Sequence, residues 1–240
     1  MLKREKYALA AVIVYIFIMC IGMIVLGFSK FSYDEPEMVK VIVYFEIVLS
    51  IYVMWVYKQL KLHIFLKKFK FTKWLLPYLL IFMLMIVFTI FTGNLSEHFP
   101  LILLVGLTTL LVGFSEELMF RGIFLTVMLE KRKVVFALIA SSVAFSLLHL
   151  VNIFAGVSHT GALVQLLLTF LFGLIFSCLA ILIKNIVPLI IYHFIWDFIL
   201  ITQSLTGANI QWISYLAIGI ELIIVIPLFI YTTRFIQKKL

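Results

Sequence analysis

The sequence predicts an all-α protein: a polytopic transmembrane helical bundle of about eight spans, with both termini in the cytoplasm. Of its 240 residues, 65% are apolar and 12% are charged, whereas soluble domains are about 45–50% apolar and about 25% charged. The apolar residues form runs of the length that a bilayer requires, which is about 20 residues. This composition excludes a soluble enzyme, a secreted disulfide scaffold and a disordered chain.

Short polar connections separate eight apolar runs, which we interpret as membrane spans. They cover residues 7–28, 41–57, 74–92, 101–129, 134–151, 162–183, 186–205 and 213–233. Cys20 and Cys178 fall inside two of these runs, so we expect core residues rather than a disulfide or a metal pair. No repeat or linker divides the chain, and residues 1–240 are predicted to form a single integral membrane domain.

The distribution of charge fixes the predicted orientation. Sixteen of the 19 basic residues lie at one end of the spans, which we call the basic face: Lys3, Arg4, Lys6, Lys58, Lys61, Lys67, Lys68, Lys70, Lys73, Lys131, Arg132, Lys133, Lys184, Arg234, Lys238 and Lys239. The other end, the opposite face, carries Lys30, Asp34, Glu35, Glu37, Lys40 and Glu97. Basic residues next to spans stay in the cytoplasm, so the basic face is predicted to be cytoplasmic.

The partners implied by composition are membrane lipids. The lysines of residues 58–73 alternate with apolar side chains, which suits either contact with anionic headgroups or a plain cytoplasmic loop. Nucleic acid is not expected, because no folded basic domain is available to present a groove. Richness in Lys, Ile and Phe indicates a bacterial protein, and hence the plasma membrane; the oligomeric state is left open.

Eight ionisable side chains fall within the predicted spans: Glu46, Glu116, Glu117, Arg121, His149, His193, Asp197 and Glu221. A charge near the bilayer centre costs about 2.5–3.5 kcal/mol, so each needs a partner, a wet cavity or a function. Glu46 and Glu221 have no neighbouring motif, and for them we predict structural hydrogen bonds or neutral carboxyl groups. The other six lie in only three spans, which indicates a functional site.

The spacing of these six side chains predicts their partners. Glu117 and Arg121 are four residues apart, so they share a helix face as an ion pair. His193 and Asp197 have the same spacing. Glu116 is rotated by about 100° from Glu117, which lets it point elsewhere.

Three kinds of chemistry use such a set. Peptide hydrolysis needs a base for water, a group that stabilises the oxyanion and an acid for the leaving amine; a buried glutamate beside histidine can act as the base. Histidines and carboxylates can instead hold zinc, although the H-E-x-x-H signature is absent. Proton transport is the competing use.

The three spans also carry motifs of a known family. Glu116-Glu117-Leu118-Met119-Phe120-Arg121 is an E-E-x-x-x-R motif, Phe145 to His149 form F-x-x-x-H, and His193 to Asp197 form H-x-x-x-D. Their order, spacing and location resemble the CAAX protease and bacteriocin-processing (CPBP, or Abi) intramembrane proteases. The resemblance covers about residues 100–200 as the catalytic core and leaves residues 1–99 as accessory N-terminal spans.

The resemblance implies an intramembrane endopeptidase, with a role for each motif residue. Glu116 and His149 would activate water, His193 and Asp197 would stabilise the tetrahedral intermediate, and Glu117 and Arg121 would hold their span in place. Family members cleave CAAX proteins, act on bacteriocin or pheromone peptides, or confer self-immunity. Both a zinc site formed by Glu116, His149, His193 and Asp197 and a metal-free mechanism remain open.

Asp197 departs from the Asn that often ends the third motif. An ionised carboxylate accepts hydrogen bonds only and repels an oxyanion. Asp197 must therefore be protonated, orient His193 or bind a metal.

Two further expectations concern access and function. From the depth of the motifs, we expect a cavity that is reached from the cytoplasm. The alternatives to a protease are a non-catalytic membrane protein, for bacteriocin self-immunity or as a signalling scaffold, and a proton-coupled transporter.

Overall fold

The computed structural model describes residues 3–62, 67–94, 96 and 98–237, and within them it confirms the all-α prediction. The helices are α1 (Lys3–Gly27), α2 (Val39–Leu60), α3 (Leu76–Thr92), α4 (Phe99–Glu117), α5 (Thr126–Leu129), α6 (Val134–His149), α7 (His159–Ile183), α8 (Val187–Thr206) and α9 (Gln211–Gln237). A π-helical segment, Leu118–Leu125, joins α4 to α5. The 3₁₀ turns are Pro36–Met38, Lys73–Leu75 and Leu150–Ala155.

In the part of the chain that the structure describes, eight helical stretches are long and apolar enough to cross a membrane, and each coincides with one predicted span. The protein is therefore an integral, multi-pass membrane protein. The assignment of the basic face to the cytoplasm stays a prediction. Glu97, Lys238, Lys239 and residues 63–66 of the basic segment lie outside the described residues.

Helix ends follow the local sequence. Pro36, Pro100 and Pro188 stand in the first turns of helical segments, where a missing backbone N–H leaves no hydrogen bond unmade. At the basic face, α7 is followed by its C-cap residue Lys184, which has a φ of 60°. That left-handed residue turns the chain directly into α8, so His193 lies only two turns from the basic-face end of its helix.

The half of the bundle nearest the basic face is densely packed. All side chains of residues 118–128 and 173–183 are buried. The connections on this face are also joined to one another: Arg132 binds both oxygens of Glu5 (2.9 and 2.7 Å), and Arg4 pairs with Glu130 at 3.0 Å. This densely packed half therefore holds in place the helices that carry the functional side chains.

Candidate active site

The predicted Glu117–Arg121 ion pair is present at the end of α4. Arg121 Nη1 donates to Glu117 Oε1 over 2.7 Å, and both side chains are fully buried. The same carboxylate oxygen lies 3.0 Å from His193 Nδ1 on α8. Arg121 thus neutralises Glu117, and Glu117 in turn orients the imidazole of His193. Spacing along the chain predicted the first contact but not the second, which joins two helices.

The other nitrogen of His193 faces two further carboxyl groups. His193 Nε2 lies 3.4 Å from Asp197 Oδ2, one turn along α8, and 3.9 Å from Glu116 Oε2. Adjacent glutamates of α4 therefore approach opposite edges of one imidazole ring. Glu116 Oε2 is buried and makes no hydrogen bond among the described residues, which leaves it free to accept one from a substrate or water.

His149 enters from the end of α6. Its Nδ1 lies 3.1 Å from the carbonyl oxygen of Phe145. A carbonyl only accepts hydrogen bonds, so Nδ1 carries the proton and Nε2 keeps its lone pair when the ring is neutral. His149 is therefore held in the tautomer that can act as a base through Nε2.

Phe145 connects the parts of the site. Its ring centroid lies 5.0 Å from that of His149 and 6.1 Å from that of His193, and the Arg121 guanidinium carbon is 4.2 Å from the same ring. Phe145 has no role among those predicted from the sequence. Its place as the first letter of F-x-x-x-H was the available signal.

Glu116, His149, His193 and Asp197 all line one cavity of about 680 Å³. Glu46 and Glu221, for which only structural roles were predicted, line it too. Glu46 Oε2 does accept the expected kind of hydrogen bond, from Ser115 Oγ at 2.9 Å. The only sequence signal for the place of Glu46 on the cavity wall was that a carboxyl group lies within a predicted membrane span.

A direct backbone approach between α4 and α8 sets these distances. A Cβ atom at Gly113 would lie 3.0 Å from the Ile190 carbonyl oxygen and 3.0 Å from the Phe194 nitrogen. These two residues flank His193, and Gly113 precedes Glu116 by one turn. Glycine at this position therefore lets the two carboxylates reach His193.

We expect Gly113→Val to push α4 and α8 apart, with a stability loss of about 1–3 kcal/mol from overpacking and a fall in activity of about 10²-fold from misplacement of the site. Thermal unfolding and peptide hydrolysis measure the two effects. Gly219→Val in α9 is the matched control, because a Cβ there meets nothing within 4 Å. Equal behaviour of the two variants would contradict the proposed spacing role.

The π-helical segment follows Glu117 immediately and contains Arg121. The sequence predicts an ordinary α-helix through this span. The π-helical segment differs from that prediction, because the pattern of apolar residues does not indicate a wider helical turn. π-helical segments are rare in proteins overall, but those that occur are often found at functional sites. Thr126 Oγ1 donates to the Arg121 carbonyl oxygen at 3.3 Å, which is a partner for a backbone group in the altered helix.

The zinc hypothesis requires ligands that converge on one point. Among the described residues, no group of three or more His, Cys, Asp or Glu side chains is arranged to hold a metal ion. His193 Nδ1, moreover, is engaged by Glu117. The donor set as arranged does not fit a preformed metal centre, and zinc stays a prediction for metal analysis of the purified protein.

A comparison with known protein families matches the segment that carries the three motifs. Residues 98–199 match the family model described as type II CAAX prenyl endopeptidase Rce1-like. The family resemblance is confirmed. The Rce1-like segment runs from the start of α4 into α8 and contains all six motif residues, whereas Glu46 and Glu221 lie outside it. No curated protein and no solved structure matched in the corresponding searches.

Proposed function

We propose that this protein is an intramembrane endopeptidase that hydrolyses a peptide bond in a membrane-associated peptide or protein. One observation carries the proposal: the free buried oxygen of Glu116 faces His193 inside a cavity that His149 and Asp197 also line. The match to a protease family over these residues supports it. We place the protein in a bacterial plasma membrane.

The proposed reaction uses side chains and water. Glu116, assisted by His149 Nε2, accepts a proton from water as the water oxygen attacks the scissile carbonyl carbon. His193, as an imidazolium protonated on both nitrogens between the carboxylates of Glu117 and Asp197, donates a hydrogen bond from Nε2–H to the resulting oxyanion. Glu116 then returns the proton to the leaving nitrogen as the C–N bond breaks, so the base is regenerated with each turnover.

The remaining residues act through His193. Glu117 accepts from His193 Nδ1 and keeps Nε2 directed at the cavity, while Arg121 compensates the charge of Glu117. Asp197 lies beside Nε2 on the same helix, which suits orientation of the ring in the resting state. Asp197 can therefore replace the Asn that often ends this motif, because its carboxylate lies next to the His193 imidazole.

A comparison of cellular peptides tests the proposal and identifies the substrate. Membrane and released peptides are compared between cells with the wild-type protein and cells with the double variant Glu116→Gln/His149→Ala. We expect an intact precursor to accumulate and its fragments to disappear in the variant. Identical peptide profiles at equal expression would reject the protease and favour a non-catalytic immunity or scaffold protein.

A further inference from the structure

The cavity is built from one end of the bundle. Its lining residues on α1, α2, α7 and α9 come from the parts of those helices nearest the opposite face, as Met23, Gln165 and Ser214 illustrate. Asp34 of the α1–α2 connection and Ser204 near the end of α8 also line it. The cavity lining therefore contradicts the expectation of access from the basic face, while the assignment of that face to the cytoplasm stays a prediction.

The other end of the site is closed. None of residues 118–128 or 173–183, which pack between the cavity-lining motif residues and the basic face, lines the cavity. Backbone hydrogen bonds from Lys67 to Lys184 (3.2 Å) and from Lys70 to Ile183 (2.9 Å) fasten a basic-face connection across the α7–α8 turn. Within the described residues, this buried layer and the fastened connection therefore separate the cavity from the basic face.

The misleading signal was distance counted along the chain. His193 is close to Lys184 in sequence, which suggests access from the basic face. Between them, Ile186 and Leu189 are buried. His193 is therefore separated from the basic face by a thin layer of packed side chains, and its closeness to that face does not indicate an opening.

We propose that the active site receives its substrate from the opposite face, which the positive-inside rule places outside the cytoplasm. The inference rests on the protease proposed above and narrows its substrate. The substrate class is an exported peptide or an extracytoplasmic segment of a membrane protein. Cytoplasmic C-termini, including those of CAAX proteins, would meet the packed layer.

Cavity depth further limits the substrate. His193 and Ser204 are 11 residues apart on α8, or about 16 Å at 1.5 Å per residue. An extended chain covers that distance with about five residues. Asn152, Gln165 and Thr169 line the wall. Their amide and hydroxyl donors already bind Tyr33, one another or the Gln165 carbonyl. The Asn152 amide oxygen and the Thr169 hydroxyl oxygen can still accept hydrogen bonds from such a chain. The scissile bond therefore lies at least about five residues from any folded body.

Thiol labelling tests the direction of access without requiring hydrolysis. In a Cys20→Ala background, single substitutions are placed on the cavity wall (Thr169→Cys), at the opposite face (Glu37→Cys) and at the basic face (Lys131→Cys). A charged, impermeant methanethiosulfonate is applied to intact cells and to inverted vesicles. Native Cys178, buried on the same helix as Thr169 in the closed half, is the internal control.

We expect Thr169→Cys and Glu37→Cys to react in intact cells, Lys131→Cys to react only in inverted vesicles, and Cys178 to react in neither. Reaction of Thr169→Cys only from the Lys131 side, or from neither side, overturns the inference. So does a Glu37→Cys that reacts only in inverted vesicles.

The peptide comparison separates the two proposals. Cleavage confined to cytoplasmic C-termini would overturn outer access and leave the protease standing. Expected labelling with unchanged peptides would reject the protease and leave the direction of access standing.

Discussion

Glu116→Gln is expected to lower kcat for peptide hydrolysis by about 10²–10⁴-fold, which is the usual contribution of a positioned acid–base group. The amide has the shape of the carboxyl group but cannot take a proton from water. Because substrate contacts along the cavity wall are kept, KM should change little. Initial rates in reconstituted liposomes, measured over a range of concentrations of the identified peptide, separate the two constants.

Glu130→Gln is the matched control for this prediction. It makes the same chemical change at the basic-face end of the same span, where Glu130 is partly exposed and pairs with Arg4. Both variants should unfold at temperatures close to that of the wild type. Full hydrolytic activity of a folded Glu116→Gln protein would show that Glu116 is not the base and would reject the reaction proposed above.

Sequence predicts best what depends on one helix at a time. The eight spans follow from the solvent preference of about 20 consecutive side chains, and the Glu117–Arg121 pair follows from helical spacing. Both are present in the structure. Composition and local geometry are sufficient in these cases because no knowledge of neighbouring helices is needed.

Contacts between helices lie beyond that kind of reasoning. The bond between Glu117 and His193 spans 76 positions in the chain and depends on the absence of a side chain at Gly113. The inclusion of Glu46 in the cavity wall likewise depends on how α2 packs against α4. Motif order indicated that the six residues belong together, but only packing decides which atom faces which and where the cavity opens.

Arg121→Met should be the most destabilising single change at the site, with a loss of about 3–5 kcal/mol, since it leaves the carboxylate of Glu117 buried without its counter-charge. The methionine approximates the length of the side chain, so the contact with Phe145 is partly kept. Thermal unfolding in detergent measures the loss. Arg4→Met, which breaks the exposed pair with Glu130, should cost about 1 kcal/mol or less.

The double variant Arg121→Met/Glu117→Gln distinguishes a structural pair from one that also positions His193. Removing both charges eliminates the uncompensated carboxylate, so most of the lost stability should return. Activity should stay low if the ionised Glu117 is what orients His193 Nδ1, because an amide oxygen is a weaker acceptor for that N–H. Recovery of both stability and activity would show that the pair only holds α4 in place, whereas recovery of stability alone assigns Glu117 to the positioning of His193.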